Sequence, residues 1–543
     1  MALPDRLTRR DSWTALGLAA VMGLCSWGLA VPHVCGAYHD DGIYLITAKA
    51  LAEGEGYRLL HLPGHPAQTK YPPLLPMLLA PLWRLFPDFP ANLPVLLAVP
   101  FLCGMAVIAG SYLYLVHFGY TSRATAGLAA LWCATTPMYA VYGTLVMAEF
   151  PFAFLWLVTL WRLERMAGQN TSGKQELLLG ILCGLAAQCR LVGVTLVPVA
   201  LWVFWRNRRG VWWLLLGAGL AFGPWVIWAK TGVGDWERNL VTGYYTDYVG
   251  WWQQGTVLQL ARVALLNLLS MTYAVTLLCQ GWLFYLVMPY WPWNLPLLSL
   301  AGILAAGRLV GWARRGRVLP LAMGAMLALV CVWPWPPTRF LVPVAPLLTA
   351  ALLATVTTHV AARFRSISVR VAGLLLVLTL MLNLCLWFDH VRITQATGYP
   401  LFYYRYKERT TTWQAQAELL AWITTHTQPH ELIASEMDPM VYLYTGRPAC
   451  RPYAHSPLTL FYAEPGTPLG TVEEWREQMV KLKPRFVVTL TLPFFAENQP
   501  FRELLARIRR EHPAWLTPVY QSTTDPNAVI YAVHLEEMRV GGP

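Results

Sequence analysis

Through residues 1–388, short polar clusters separate long apolar runs, and from 389 onward the pattern becomes that of a water-soluble chain. A helix needs about 20 apolar residues to cross the hydrocarbon core of a bilayer. The runs therefore predict about eleven spans, at 13–31, 93–116, 124–138, 145–162, 177–190, 192–205, 211–229, 293–309, 318–335, 341–360 and 371–388. The apolar interval 258–290 is expected to lie partly in the membrane interface. Span one leads into a long first loop, residues 33–92, whose apolar stretches Ile43 to Leu51 and Leu74 to Phe86 are broken by prolines. They are expected as interfacial helices.

Residues 389–543 read as a small α/β domain. A helix is expected over Trp413 to Thr425 and a strand over Glu431 to Ala434. A short helix over Met440 to Tyr444 should precede a turn at Thr445-Gly446-Arg447-Pro448, and Arg485 to Leu490 reads as a buried strand. The region contains no Gly-rich phosphate loop and no nucleophile elbow. The expected organisation is thus an α-helical polytopic membrane domain, 1–388, followed by an extracytoplasmic α/β domain, 389–543.

Composition agrees. Only 13% of residues are charged, against about 25% in soluble domains, and the mean hydropathy is +0.42. The net charge of +12 would suit nucleic acid, but the arginines sit at the ends of apolar runs, as the positive-inside rule requires. No groove-reading motif surrounds them, so nucleic acid is excluded as a partner. Arg6, Arg9 and Arg10 place the N-terminus in the cytoplasm, and the later clusters at Arg123, Arg162–Arg165, Arg206–Arg209 and Arg314–Arg317 alternate accordingly. The first run has a basic flank but no small-x-small cleavage site and reads as a retained span. A multi-pass protein of the cytoplasmic (inner) membrane is expected. Most of the ten cysteines lie in apolar runs, as small hydrophobes. Cys35 and Cys450 fall in predicted aqueous segments, where a disulfide is allowed but not indicated by spacing.

Ionisable residues near lipid are costly and by default mark function. On this topology Asp40, Asp41, Lys70, Glu149, Arg190 and Arg339 all fall in the first outer loop or at outer ends of spans. Acids and cations gathered at one membrane face suit chemistry on an anionic group.

These residues also carry a resemblance. His39-Asp40-Asp41-Gly42-Ile43-Tyr44, with Ala48, Ala50, Leu51, Gly54 and Gly56 behind it, resembles the Asp-Glu-x-x-Tyr stretch after the first span of GT-C membrane glycosyltransferases. Protein mannosyltransferases, aminoarabinose transferases and the RgtA-like group are the most similar. Lys70-Tyr71-Pro72-Pro73-Leu74-Leu75 resembles their Lys-Pro-Pro segment, and Ala148-Glu149-Phe150-Pro151 the Ser-Glu-x-Pro start of a later span. Gly184 to Arg190 and Arg339-Phe340-Leu341-Val342-Pro343 match further stretches. Two departures stand out: Asp41 where Glu is usual, and Thr69 where aminoarabinose transferases carry Glu before the lysine. The second puts their metal site in doubt.

The resemblance implies a GT-C-like fold and inverting transfer of a sugar from a polyprenyl-phosphate donor to an extracytoplasmic hydroxyl on a lipid, glycan or protein. It implies Asp40 as general base ahead of Asp41, and Lys70, Arg190 and Arg339 at the lipid phosphate. Tyr44, Tyr71 and Glu149 would line the donor and acceptor pocket. No cofactor is required, and a divalent metal is not indicated.

Plainer readings exist for each residue. Asp40 and Asp41 could cap the helix that starts near Gly42, Lys70 could be a snorkelling lysine, and Arg190 could bond the last carbonyls of its span. His39, His61 and His65 share a loop with two aspartates, yet their spacing matches no metal-ligand motif. Tyr244, Tyr245, Tyr248, Trp251 and Trp252 read as an interfacial belt. At the level of the whole protein the alternatives are a transporter or lipid-carrier flippase, or an assembly or sensor protein. Transporters show internal repeats and broken midplane helices; no repeat is visible here, and the acids gather at one face.

Overall fold

A computed structural model describes residues 7–206, 211–232, 255–279, 281, 283, 293–363, 367–399, 412–453, 462, 470–489 and 498–540. The expected aromatic belt at 244–252 lies outside them. The chain forms two compact units. One contains Met1–Ala30, Leu97–Ile227 and Val257–Arg392; the other contains Val31–Leu96, Trp228–Thr256 and Ile393–Pro543. Residues 33–92, expected as a loop of the membrane region, are thus part of the unit that contains the C-terminal residues.

The first unit is helical. Among the described residues seven helices are long and apolar enough to cross a bilayer: Arg9–Leu29, Leu93–His117, Trp212–Thr231, Val257–Cys279, Leu295–Arg314, Thr338–Thr358 and Val377–Thr397. Pro137–Thr144 and Glu149–Met166, bent by 100° at their break, would together make an eighth. Val257–Cys279 falls where an interfacial segment was expected. The need for an odd number of crossings before the cytoplasmic arginines at 308–317 gave that reading; in the fold the polar residues of this helix turn inward. The Asn267 amide donates to the carbonyls of Cys331 and Trp333, Thr272 bonds Ser299, and Thr276 donates to the Leu298 carbonyl. Lipid offers no hydrogen bonds, so such side chains turn toward neighbouring helices.

Small residues let these helices approach closely. A Cβ on Gly180 would lie 2.1 Å from the Leu214 carbonyl oxygen, and one on Gly217 would lie 2.2 Å from that of Leu177. The helices Gly173–Cys189 and Trp212–Thr231 therefore meet backbone to backbone. Several of the basic helix ends take part in two polar groups. Asp11 accepts from Arg123 Nε and from the Tyr112 hydroxyl, each at 2.9 Å. Tyr120 donates to Glu164 at 2.7 Å and accepts from the Leu319 N–H, with the Arg317 guanidinium 5.2 Å from its ring centre.

The second unit is built on a five-stranded sheet. Its strands are β1 (Ile433–Ser435), β2 (Ala449–Cys450), β3 (Phe486–Thr489), β4 (Leu516–Gln521) and β5 (Val529–Val533), in the order β2-β1-β3-β5-β4. β1 runs parallel to β2 and β3; β5 is antiparallel to β3 and β4. The central strands are buried on both faces, so their side chains alternate between two cores. Leu432, Ala434 and Val487 join Trp475 and Phe501 on one face. Ile433 and Val488 join Leu419 and Ile423 on the other. The expected helix over Trp413 to Thr425 is present as Trp413–His426, and the short one as Asp438–Thr445. Strands β4 and β5 were not expected: β4 is solvent-facing along most of its length and carries Pro518, which breaks the alternation a sequence reading relies on.

Residues 31–96 belong to these same cores. Ile43, Leu59 and Leu62 enter the first, and Val31, Val34 and Ala37 the second. The helix Asp40–Glu53 packs on Leu74–Leu85 and on Asp438–Thr445. Leu74–Leu85 buries Leu75, Leu79 and Trp83 while Met77, Leu78 and Leu85 stay exposed, the two-sided apolar pattern of a helix at a membrane interface. Gly36 makes the junction with Asp438–Thr445. It holds φ +81°, and a Cβ there would lie 2.9 Å from the Met440 Cα. Gly446, at φ +68°, has open space around it.

A paired substitution tests that contact. Gly446→Ala is expected to cost about 1–2 kcal/mol for its left-handed backbone alone. Gly36→Ala should cost that plus about 1–3 kcal/mol of overpacking. Thermal unfolding of the full chain in detergent should rank them in that order, and equal losses would remove the packing argument.

Candidate functional site

The local backbone explains why Asp40 and Asp41 separate. His39, at φ 62° and ψ −59°, precedes the helix Asp40–Glu53 and makes no side-chain cap bond. The Asp40 N–H donates to the Tyr38 carbonyl at 2.7 Å, which closes a γ-turn of the strained, positive-φ kind around His39. Such a conformation costs on the order of 1–3 kcal/mol and persists only where its surroundings over-determine it.

Asp41 points back into the preceding loop. It accepts from the N–H groups of Gly36 at 2.8 Å and Tyr38 at 3.0 Å, and the Cys35 thiol lies 3.5 Å from it. Burial pushes its carboxyl above the ordinary value, against these donors. Asp41 thus fastens the loop, rather than capping the helix as the plainer reading expected. Cys35 and Cys450 are both free thiols.

Asp40 faces the other way and its side chain remains 18% exposed. The Tyr71 hydroxyl donates to its Oδ1 at 2.7 Å. The Lys70 ammonium lies 5.4 Å from the centre of that same Tyr71 ring, and the Tyr44 ring lies 5.6 Å from it. Tyr71 therefore ties the acidic and basic residues together. Its position has a local cause. Residues 57–68 fold back on themselves, with bonds Leu59 N–H to Pro66 O and Gln68 N–H to Tyr57 O. The Gln68 side-chain oxygen then accepts from the N–H groups of Lys70 at 2.7 Å and Tyr71 at 3.2 Å. Tyr57 donates to the Tyr71 carbonyl at 2.8 Å. Lys70 is 3% exposed, so it is a packed cation rather than a snorkelling one. Gln68 and Tyr57 were not singled out in the sequence, because a turn-holding amide looks like any other loop residue.

His39 and His61 converge on a residue the sequence reading passed over. His39 Nε2 lies 3.3 Å from Asp438 Oδ1, and His61 Nε2 lies 3.2 Å from Asp438 Oδ2. His39 Nδ1 stands 3.9 Å from Asp40 Oδ1. Burial alone would raise Asp438, but the bonds and charge of His39 and His61 hold its carboxyl well below the usual range. Burial pushes His61 below its ordinary value, against Asp438. His65 goes elsewhere, to a groove lined also by His430, Glu431, Lys483 and Arg485.

Among the described residues no group of three or more His, Cys, Asp or Glu is arranged to hold a metal ion. Thr69 is buried and brings a neutral hydroxyl where the resembled aminoarabinose transferases bring a carboxylate, so that donor set does not fit a divalent cation.

In the other unit Glu149, Arg190 and Arg339 form one cluster. Glu149 opens the helix Glu149–Met166 after the sharp break and is fully buried. Arg190 terminates the helix Gly173–Cys189 in an extended conformation. Its guanidinium bonds Glu149 Oε1 and lies 4.9 Å from the Phe340 ring centre. Arg339 Nε donates to the same Glu149 oxygen. Two guanidiniums share one carboxylate oxygen. The Arg side chains are 11% and 27% exposed.

Residues 70–228 match the family model "Dolichyl-phosphate-mannose-protein mannosyltransferase". A sequence comparison with curated proteins returned no match. Among solved structures the chain is similar to ArnT from Cupriavidus metallidurans bound to undecaprenyl phosphate. The TM-score is 0.53 at 16% identity, over 98% of this chain and 99% of that one. The apo ArnT structure gives 0.52 at 17%, over 99% and 100%. The archaeal oligosaccharyltransferase AglB from Archaeoglobus fulgidus, in complex with an inhibitory peptide and a dolichol-phosphate, gives 0.51 at 13%, over 99% of this chain and 75% of that one. The fold is GT-C, as the resemblance implied.

Two outcomes follow from the electrostatics. Glu149→Ala removes the buried carboxylate that both guanidiniums share and is expected to cost about 3–5 kcal/mol, read as a lowered melting temperature in detergent; an unchanged one would show the cluster to be solvated. His61, depressed when folded, takes up its proton more readily when unfolded, so stability is lost as pH falls below its ordinary value of 6.5. The melting temperature should drop between pH about 7.5 and about 5.5, and drop less in His61→Gln.

Proposed function

We propose that this chain, which carries the GT-C glycosyltransferase fold, moves a sugar from a polyprenyl-phosphate donor to a hydroxyl acceptor with inversion. The reading is supported by the family match over residues 70–228 and by the polyprenyl and dolichol phosphates named with the ArnT and AglB structures. The observation that carries it is Tyr71, which bonds Asp40 and carries Lys70 against its ring. An accessible carboxylate and a cation in one place are what this displacement uses.

The acceptor hydroxyl attacks the sugar C1 from the face opposite the phosphate. Asp40 takes the hydroxyl proton as the new C1–O bond forms. The C1–O bond to phosphate breaks, and its electron pair leaves on the lipid phosphate. Lys70 meets that growing charge, which stabilises the transition state more than the bound donor. A phosphate needs no general acid to depart. Tyr71 orients Asp40 and Tyr44 backs it, while the buried position of Lys70 strengthens its field. Arg190 and Arg339, gathered on Glu149 in the helical unit, are separate candidates for contact with a lipid phosphate. No metal enters any step.

The surrounding membrane supplies the donor. In this reading the polar groups at Asp11 and Arg123 and at Tyr120 are the cytoplasmic end of the helices, and the unit containing the sheet is extracytoplasmic. The acceptor is a lipid, glycan or protein on that outer side, and the protein resides in the cytoplasmic membrane.

Purified protein incubated with a panel of polyprenyl-phosphate sugars, mannose included, should release polyprenyl phosphate from one of them. Asp40→Asn should lower kcat by about 10²–10⁴-fold and leave binding of polyprenyl phosphate within a few-fold. Lys70→Ala should lower kcat by about 10²–10³-fold and weaken binding of the phosphate. An Asp40→Asn protein with full activity would remove the base assignment. Transport of the lipid carrier without release of phosphate would replace a transferase with a flippase.

A further inference from the structure

Asp41 fastens the first turn of the helix that carries Asp40 to the preceding loop, but the residue before Asp40 is not held by a cap. His39, at its N-cap position, makes no capping bond and sits in a strained γ-turn. A side chain aimed from such a turn keeps its direction only if something outside the turn restrains it. That restraint lies about 400 residues further along the sequence. Asp438 opens the helix Asp438–Thr445, is fully buried, and offers one oxygen to His39 and the other to His61. Its two oxygens are thus matched to two imidazoles, both also buried. With Nε2 directed at Asp438, the His39 ring turns Nδ1 toward Asp40, 3.9 Å away. His61 belongs to the 57–68 segment that delivers Gln68, Lys70 and Tyr71. The backbone is fastened at the same place, since the Ala449 N–H donates to the His61 carbonyl at 2.7 Å and Gly36 and Gly42 pack directly on Met440 and Pro439.

From this geometry we infer that Asp438, working through His39 and His61, is a positioning residue of the reaction. It clamps the loop that bears the general base to the segment that bears the phosphate-binding lysine, and so sets the aim of the Asp40 carboxylate. The inference rests on Asp40 being the base. The carboxylate acts at a distance: it touches neither donor nor acceptor, and the imidazoles convert its fixed place in the sheet-bearing unit into a fixed ring beside Asp40. A carboxylate behind a histidine orients that ring and selects its tautomer. Misplacing a catalytic group by about 1 Å costs on the order of 10²-fold in rate without changing what binds. The clamp also gives the C-terminal region a part in the chemistry.

The test uses the full-length protein in detergent, with polyprenyl-phosphate mannose or whichever panel sugar is consumed, and release of polyprenyl phosphate as readout. Asp438→Asn keeps the shape and one acceptor oxygen. It should lower kcat on the order of 10²-fold with the donor KM within about threefold. In an Asp40→Asn background the same substitution should change the residual rate by less than about threefold, because effects that act through one group are not additive. A multiplicative loss in that background would overturn the inference, as would full kcat in a folded Asp438→Asn protein. If Asp438→Asn does not fold, His61 decides. His61→Gln retains an N–H donor near Nε2 and His61→Leu does not, so Gln should keep several-fold more kcat than Leu at matched melting temperatures. Equal rates would overturn it. Full activity of Asp40→Asn would instead remove the base assignment on which the inference stands, and that result is read separately.

Discussion

A carboxylate taken out of water must be met by donors where it lies, and three such carboxylates organise this molecule. Desolvating an ion costs several kcal/mol, which only well-placed hydrogen bonds and opposite charge offset. Asp41 is met by backbone N–H groups of its own loop, Asp438 by two imidazoles, and Glu149 by two guanidiniums. Each solution pins chain segments that would otherwise move. Asp41 fixes the turn before its helix, Asp438 brings residues 39 and 61 to one point, and Glu149 gathers the ends of helices 41 and 190 residues apart in sequence.

Asp40 differs from these three in its exposure. It lies next to Asp41, yet it keeps part of its surface open and takes a tyrosine hydroxyl as partner. The contrast between neighbours divides their labour: one carboxylate has its oxygens engaged by the backbone, and the other is available for proton transfer in the proposed reaction. Lys70 is prepared in the same manner, because Gln68 and Tyr57 hold the backbone around it and leave the ammonium against an aromatic face. Preorganised charge in a site shielded from water acts more strongly than the same charge in solution.

The helical unit follows a different economy. Several of its interior polar groups find a partner on a neighbouring helix, as Asn267, Thr272 and Thr276 do. Glycines at 180 and 217 remove the side chains that would keep helices apart. Dispersion and short interhelical bonds, rather than the hydrophobic effect, hold such a bundle together in lipid. That leaves the costly charges for the places where they act.

Much was legible in the residues alone. Apolar run length sets whether a segment enters lipid, and the motifs at 39–44, 70–75 and 148–151 carried the GT-C resemblance, because these are local properties of the chain. The helices at 413–426 and 438–445 and the strand at 486–489 declared themselves by periodicity for the same reason. What local pattern could not contain is which distant groups share a hydrogen bond. That residues 33–92 fold into the sheet-bearing unit, that Asp41 turns away while Asp40 stays open, and that Asp438 reaches back to His39 and His61 depend on contacts across about 400 positions. Only the tertiary fold decides them, since the energy of a buried polar group is set by its neighbours in space and not by its neighbours in sequence.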